Sequence, residues 1–146
     1  MKWKELEHET CPVARGLSVV GDRWTLLVLR DCFRGVKRFD DFQTSLGITR
    51  HVLADRLKRL EETGVLERRL YSEAPPRHEY RLTDKGRALY PILVSLVTWA
   101  EQHQPHAEAA PFVYRDRATG DLLDPILVDR ITGAPIEPHR VTAGRD

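Results

Sequence analysis

Cysteine is scarce in this chain: Cys11 and Cys32 are the only two among 146 residues. That is too few for the disulfide framework of a small secreted domain. Long apolar runs are missing as well, and nothing approaches the roughly 18 consecutive residues of a membrane span. The opening MKWKELEHET is polar where a signal peptide would carry a hydrophobic segment. A reducing cytoplasm, without membrane attachment, is the compartment expected. Charge of one sign is also lacking: the formal net charge is +1, which singles out no class of partner, so any electrostatic footprint must be local. No Ser/His/Asp order, phosphate-cradling glycine loop or metal-ligand cluster is present, so neither enzyme chemistry nor a cofactor is expected. Cys11 with His8 is the one nucleophile pair on offer, and both precede the first packed helix, a poor place to hold catalytic geometry. With 41% hydrophobic and 31% charged residues, the chain can nevertheless bury a core.

The most informative stretch is FDDFQTSLGITRHVLADRLKRLEET, residues 39–63. Asp40 suits an N-cap, Gln43 completes a capping box, and Phe42 and Leu46 face inward one turn apart. Gly47 provides the left-handed turn, and Thr49 caps a second helix. Val52/Leu53, Leu57 and Leu60 recur there at helical spacing until Gly64 ends it. Helix, glycine turn, helix is the helix-turn-helix pattern. Arg50, His51, Ala54, Asp55, Lys58 and Arg59 are left on the open face, the first of them in the turn where a recognition helix meets base edges. An ordinary solvated face would read the same way. Charge supports the nucleic-acid alternative: residues 22–59 carry nine Lys/Arg against five acids, whereas residues 105–146 carry five Arg against seven acids.

Upstream, Met1–Thr10 is a charged lead-in. Pro12 opens a helix whose apolar face is Val13, Leu17 and Val20, ended by Gly21. Asp22 caps a second, strongly apolar helix, RWTLLVLRDCF, and Arg34–Arg38 forms a basic loop. Downstream, residues 65–71 and 78–82 alternate as strands around a turn at 72–77 containing Pro75-Pro76. A β-hairpin directly behind a recognition helix makes a winged helix, with Arg77 near its tip, either as a minor-groove cation or as plain surface charge. Thr83 caps a further helix to Gln104, with a stripe of Leu89, Leu93, Leu96/Val97 and Ala100 and a kink at Pro91. Such a stripe outside so small a domain calls for a second surface, which a two-fold homodimer supplies. Residues 105–111 read as a linker. Beyond it, Asp116–Gly120 and Asp129–Gly133 are related tight turns between short β segments. The fold class expected is mainly α with a β-hairpin wing, residues 1–104, plus a small β-rich extension, residues 105–146.

From Cys11 to about Gln104 the chain resembles the HxlR family of winged-helix regulators, relatives of the MarR group. The resemblance is carried in order by Cys11-Pro12, Gly21-Asp22-Arg23-Trp24, Arg38–Phe42, Leu46–Thr49, Leu53, Arg56-Leu57 and Leu60-Glu61. It continues through Gly64–Leu66, Pro75–Arg77, Glu79-Tyr80 and Leu82–Gly86 to Trp99. It implies a homodimeric DNA-binding transcription regulator, dimerised through its N-terminal segment and C-terminal helix. It also implies a candidate redox or electrophile sensor at Cys11, for which a half-buried inert thiol is the alternative; Cys32 reads as core. The tail is similar to extensions of relatives that carry Cys-Gly zinc knuckles, but Thr119-Gly120 and Thr132-Gly133 stand at those turns, so no metal site is expected. His103, His106 and His139 fit no common ligand spacing.

The expected function is sequence-specific binding of double-stranded DNA at an inverted repeat. Thr49, Arg50, His51 and Asp55 would read bases, with Lys58 on the same face. Arg34, Lys37, Arg38, Arg59 and the hairpin with Arg77 would hold the backbone. The alternative is a winged helix that docks a protein, which would call for apolar residues on the 49–63 face. A small-molecule effector has a candidate lining in Trp24, Leu27, Phe33 and Tyr90, residues that serve equally as core.

Overall fold

Pro12, at the first position of α1 (Pro12–Val20), begins the helical part of the molecule, after a 3-10 arm at Trp3–His8. The structure, a computed structural model, describes residues 2–144. Four further elements build the winged helix: α2 (Thr25–Phe33), α3 (Phe39–Leu46), α4 (Arg50–Glu62), and a hairpin of β1 (Leu66–Glu73) and β2 (Pro76–Leu82). Its core draws on α2, α3, α4 and the start of the wing. Val28, Leu29, Phe42, Ile48, Leu53, Leu57, Leu60, Val65 and Leu66 are all buried. Each fully buried aliphatic of this kind contributes about 1.5–3 kcal/mol.

Glycines end the two helices of the helix-turn-helix by the same device. Gly47 (φ +62°) follows α3, and Gly64 (φ +75°) follows α4. At the second, Gly64 N–H donates to Glu61 O and Val65 N–H to Leu60 O, the paired bonds of a Schellman stop. Lys85 Nζ adds a 2.6 Å bond to Thr63 O. The wing is antiparallel from Leu66↔Leu82 to Glu73↔Pro76, with Tyr71 left over as a bulge between Leu70 and Ser72. Both strands therefore extend further toward the tip than sequence alternation indicates, which places Arg77 opposite Ser72 inside the ladder. One further backbone bond, Tyr80 N to Lys37 O at 2.7 Å, ties the loop before α3 to β2.

Three local expectations need correction. Asp40 is not the N-cap of α3: Arg38 holds that position, and Asp40 and Asp41 lie in the first turn, where carboxylates favour the positive end of the helix dipole. The helix expected from Thr83 to Gln104 is two helices, α5 (Asp84–Arg87) and α6 (Tyr90–His103). The break precedes Pro91, which has no N–H to continue an α5 ladder but suits the first turn of a new helix. On α1, Val13 (68% exposed) and Leu17 (45%) lie uncovered, and the buried residue is Ser18, its hydroxyl donating to Arg15 O at 2.6 Å.

The chain divides into two compact units between Tyr90 and Pro91, after the first residue of α6. In the second unit, α6 is followed by two knuckles of one design. Gly120 N–H donates to Asp116 O and Gly133 N–H to Asp129 O, with the glycines at φ +77° and +71°. Flanking each is an isolated antiparallel bridge, Arg115↔Leu122 and Val128↔Pro135, in place of the short strands expected. The periodic stripe of α6 is only partly buried: Leu93 is enclosed, while Ile92, Leu96 and Trp99 (54% exposed) form an open row.

Candidate nucleic-acid interface

Helix α4 owes its orientation to its two faces. Thr49 caps it by accepting from Val52 N at 3.5 Å, and Leu53, Leu57 and Leu60 have no exposed surface. Arg50, His51, Ala54, Asp55 and Lys58 consequently lie on the outer side, all exposed. Asp55 pairs with Arg56 (2.5 Å) and Lys58 approaches Glu62 (4.0 Å), while Arg50, in the first turn, reaches toward α3.

There the wing comes close. Arg38, Arg50, Arg77 and His78 line one notch of about 460 Å³ together with Phe39, Asp40, Asp41 and Tyr71. Arg38 stacks its guanidinium 4.4 Å from the centre of the Tyr71 ring. Arg50 lies 4.7 Å from the Phe39 ring centre, and its Nη1 donates to Asp40 Oδ1 (3.3 Å) and Gln43 Oε1 (3.4 Å). Three arginines distant in sequence are thus gathered at the mouth between α4 and the wing. Sequence reading missed Tyr71 and His78 here: the bulge puts Tyr71 out of alternation, and period-two patterning carries no signal for it. Lys37 and Arg38 are neighbours that part company. Lys37 lines a different cavity, of about 610 Å³, with Arg69, Arg81 and Arg87, and Cys32 and Phe33 on its wall. Arg34 stays exposed on the loop.

Arg59 departs from the expected set. Its side chain is only 15% exposed, and Nη2 donates to Glu7 Oε2 at 2.9 Å and to Ser18 O at 3.5 Å. The hydrogen bond from Arg59 holds the Glu7 carboxyl below its ordinary range. Trp3 lies 5.4 Å from Arg56 and 6.0 Å from Arg59, and its indole N–H donates to Leu17 O at 2.6 Å. Arg56 also pairs with Asp22 (Nε to Oδ1, 2.9 Å). The C-terminal half of α4 is therefore bound to the N-terminal arm and to the α1–α2 turn. The later part of the helix is thus split: Arg56 and Arg59 are held inward, while Lys58 stays exposed with Arg50 and His51.

The two thiols differ. Cys11 is exposed at the N-cap of α1, whereas Cys32 is half-buried and its pKa is pushed up to about 12, chiefly by burial and then by Asp31. Of the residues considered for an effector, the rings of Phe33 and Tyr90 meet with centres 4.8 Å apart and planes tilted by 47°, while Trp24 lies under Arg23. In the knuckles, Asp116 accepts from the amides of Ala118 and Thr119, and Asp129 from the amide and hydroxyl of Thr132. These bonds lower both carboxyl pKa values. Among the described residues no group of three or more His, Cys, Asp or Glu is placed to hold a metal, and no helix is long and apolar enough to cross a membrane.

The sequence model of the HxlR-like helix-turn-helix family matches residues 19–108, from the end of α1 to beyond α6. The chain belongs to the HxlR family. An HTH-type transcriptional regulator of Mycobacterium tuberculosis is 43% identical over 144 residues, spanning 97% of this chain and 91% of that protein. Another so named, from Bacillus subtilis, is 35% identical over 99 residues, 67% of this chain and 77% of its own length. Among solved structures, PA1607, a candidate transcription factor, is 37% identical with a TM-score of 0.86, covering 97% of this chain and 99% of that one. The reduced redox regulator HypR is 35% identical with a TM-score of 0.61, covering 64% of this chain and 94% of its own. The HxlR match ends before the knuckles, while the mycobacterial relative and PA1607 match 97% of the chain.

Proposed function

We propose that this HxlR-family transcription regulator binds duplex DNA as a homodimer, with α4 in the major groove and the wing against the flanking backbone. The observation carrying this is the convergence of Arg38, Arg50 and Arg77 on one notch beside an outward α4 face whose opposite side is wholly buried. Arg50, His51 and Ala54 occupy the base-reading turn. Thr49, whose hydroxyl already caps the helix, and Asp55, paired with Arg56, have secondary roles. Arg38, Arg77 and Lys58 take phosphates, as does Lys37 on the other side of the wing; Arg59 belongs to the scaffold. The uncovered rows Val13/Leu17 on α1 and Ile92/Leu96/Trp99 on α6 support pairing with a second copy. A two-fold pair presents its two α4 helices to half-sites about one helical turn apart, roughly 34–36 Å. The alternative of a protein-docking helix face is disfavoured by the polar residues that occupy it. If thiol chemistry regulates binding, the exposed Cys11 is the site, not Cys32.

Selection of duplexes from a random library, followed by binding over a salt series, tests this. Wild-type protein selects an inverted repeat. R77A weakens binding to every sequence and flattens the salt slope by about one unit for each phosphate it no longer neutralises. R50A removes a base preference worth roughly 1–3 kcal/mol. A monomer that selects no sequence, or an R77A protein with unchanged affinity and salt slope, would overturn the reading.

A further inference from the structure

The surroundings of Arg50 carry an assignment beyond the DNA-binding reading, on which it rests. A guanidinium has five N–H donors in a rigid fork. Here Nη1 is engaged twice, by Asp40 Oδ1 at 3.3 Å and Gln43 Oε1 at 3.4 Å, and Cζ lies over the Phe39 ring, 4.7 Å from its centre. All three supporting side chains come from α3, the helix that precedes the glycine turn. The opposite edge, formed by Nε and Nη2, is the pair of parallel donors that matches guanine O6 and N7 in the major groove. An exposed arginine on α4 would otherwise sample many rotamers, and that freedom must be lost when it binds a base.

We propose that Asp40 and Gln43 are specificity-determining positioning residues, which hold the Arg50 guanidinium so that its free edge reads guanine. Asp40 does this at a cost in overall affinity, because it sets a negative charge beside the phosphate backbone. The two effects have opposite signs, and that separates aiming from simple electrostatics. Removing Asp40 leaves binding to arbitrary duplex unchanged or tighter, yet lowers discrimination at a single base position.

The test uses full-length protein and the duplex that wild type selects, alongside variants with each guanine replaced in turn. D40A lowers the preference at one guanine by about 2- to 12-fold, the range expected for releasing one rotamer-rich side chain. D40N keeps an acceptor oxygen at the same place and retains most of the preference. In an R50A background, D40A has no further effect on discrimination. Circular dichroism and thermal melting of each variant confirm the fold, as expected for an exposed residue in the first turn of α3. If D40A shifts affinity for all duplexes alike and leaves every base preference intact, Asp40 is a charge and nothing more. The same conclusion follows if its effect persists without Arg50. Should R50A itself keep wild-type preference, the assignment of Arg50 in the DNA-binding reading falls too; loss in R50A without loss in D40A sinks only the present inference.

Discussion

Replacing Asp22 is the sharpest test of how α4 is held. Its carboxylate accepts from Trp24 N (2.8 Å) and Thr25 N (3.1 Å), from the Thr25 hydroxyl, and from Arg56 Nε (2.9 Å). The side chains of Asp22 and Arg56 are 13% and 21% exposed, between a surface pair and a buried one. Fully buried pairs cost about 3–5 kcal/mol when one partner is removed, exposed ones at most about 1 kcal/mol. Trp24, not Asp22, holds the N-cap position of α2, but Asp22 satisfies the amides there. Discounting for partial solvation and adding the loss of those amide bonds, D22A should lower stability by about 2–4 kcal/mol. In an R56M background, where no guanidinium loses its Asp22 partner, the same change should cost only the bonds to the Trp24 and Thr25 amides, about 1 kcal/mol. The effect also has a pH signature. Burial acts to raise the Asp22 pKa, but the bonds from Thr25, Arg56 and the Trp24 amide outweigh it and leave the value below the ordinary one. The stabilisation is therefore complete above the unfolded aspartate pKa of about 3.9 and is lost as pH falls through the lower folded value. Urea denaturation at fixed protein concentration, at pH 7 and at steps down to pH 3, reads both. A wild-type minus D22A difference below about 0.5 kcal/mol at pH 7 would refute the reasoning. So would a difference that does not shrink below pH 4.

The remaining expectations are local. A Cβ on Gly86 would stand 2.2 Å from Val65 O and 3.0 Å from Leu82 Cδ2, so G86A should destabilise by about 3 kcal/mol or more, despite alanine's better helix propensity; a neutral effect in thermal melting would show that the wing base can shift. Iodoacetamide at pH 8 should label Cys11 and spare Cys32 in the folded protein, with both reacting in urea; equal labelling by mass spectrometry would contradict the burial of Cys32. D129A should abolish the slow amide exchange of Thr132, seen by NMR, while a chelator leaves it unchanged; sensitivity to chelator would mean that a metal, not the Asp129–Thr132 bonds, holds the knuckle.

What could be read from the chain followed from short-range chemistry. Gly47 and Gly64 stop their helices because the following backbone needs positive φ, and Thr49 caps because its oxygen reaches an otherwise orphan amide. The leucines of α4 repeat with the helical period, so burying them fixes which residues face outward. Where short-range rules compete, sequence reading slipped. Asp40 and Arg38 both precede apolar positions, and the chain began the helix one residue before Asp40, which then became a first-turn carboxylate within reach of Arg50. Pro91 is compatible with a kink or a helix start, and the tight approach of Gly86 to Val65 O accompanies a four-residue α5, which leaves the start.

Arg59 shows the deeper limit. Periodicity can place a cation at the edge of a helix's apolar stripe but not say what lies across from it. Arg50 and Arg59 both read as outward cations of one face, and the difference between them is made by Trp3 and Glu7, in the arm at the far N-terminal end. Because the arm also bonds to Leu17 O on α1, it joins the later half of α4 to the helix whose Val13 and Leu17 lie uncovered. If a second copy of the chain covers those residues, the orientation of the recognition helix and the pairing of subunits are set by the same few side chains. The spacing of half-sites would then depend on Trp3 as well as on the residues that touch DNA. W3A protein should accordingly accept altered half-site spacing while its base preferences persist; strict wild-type spacing in W3A would show that Trp3 does not set it.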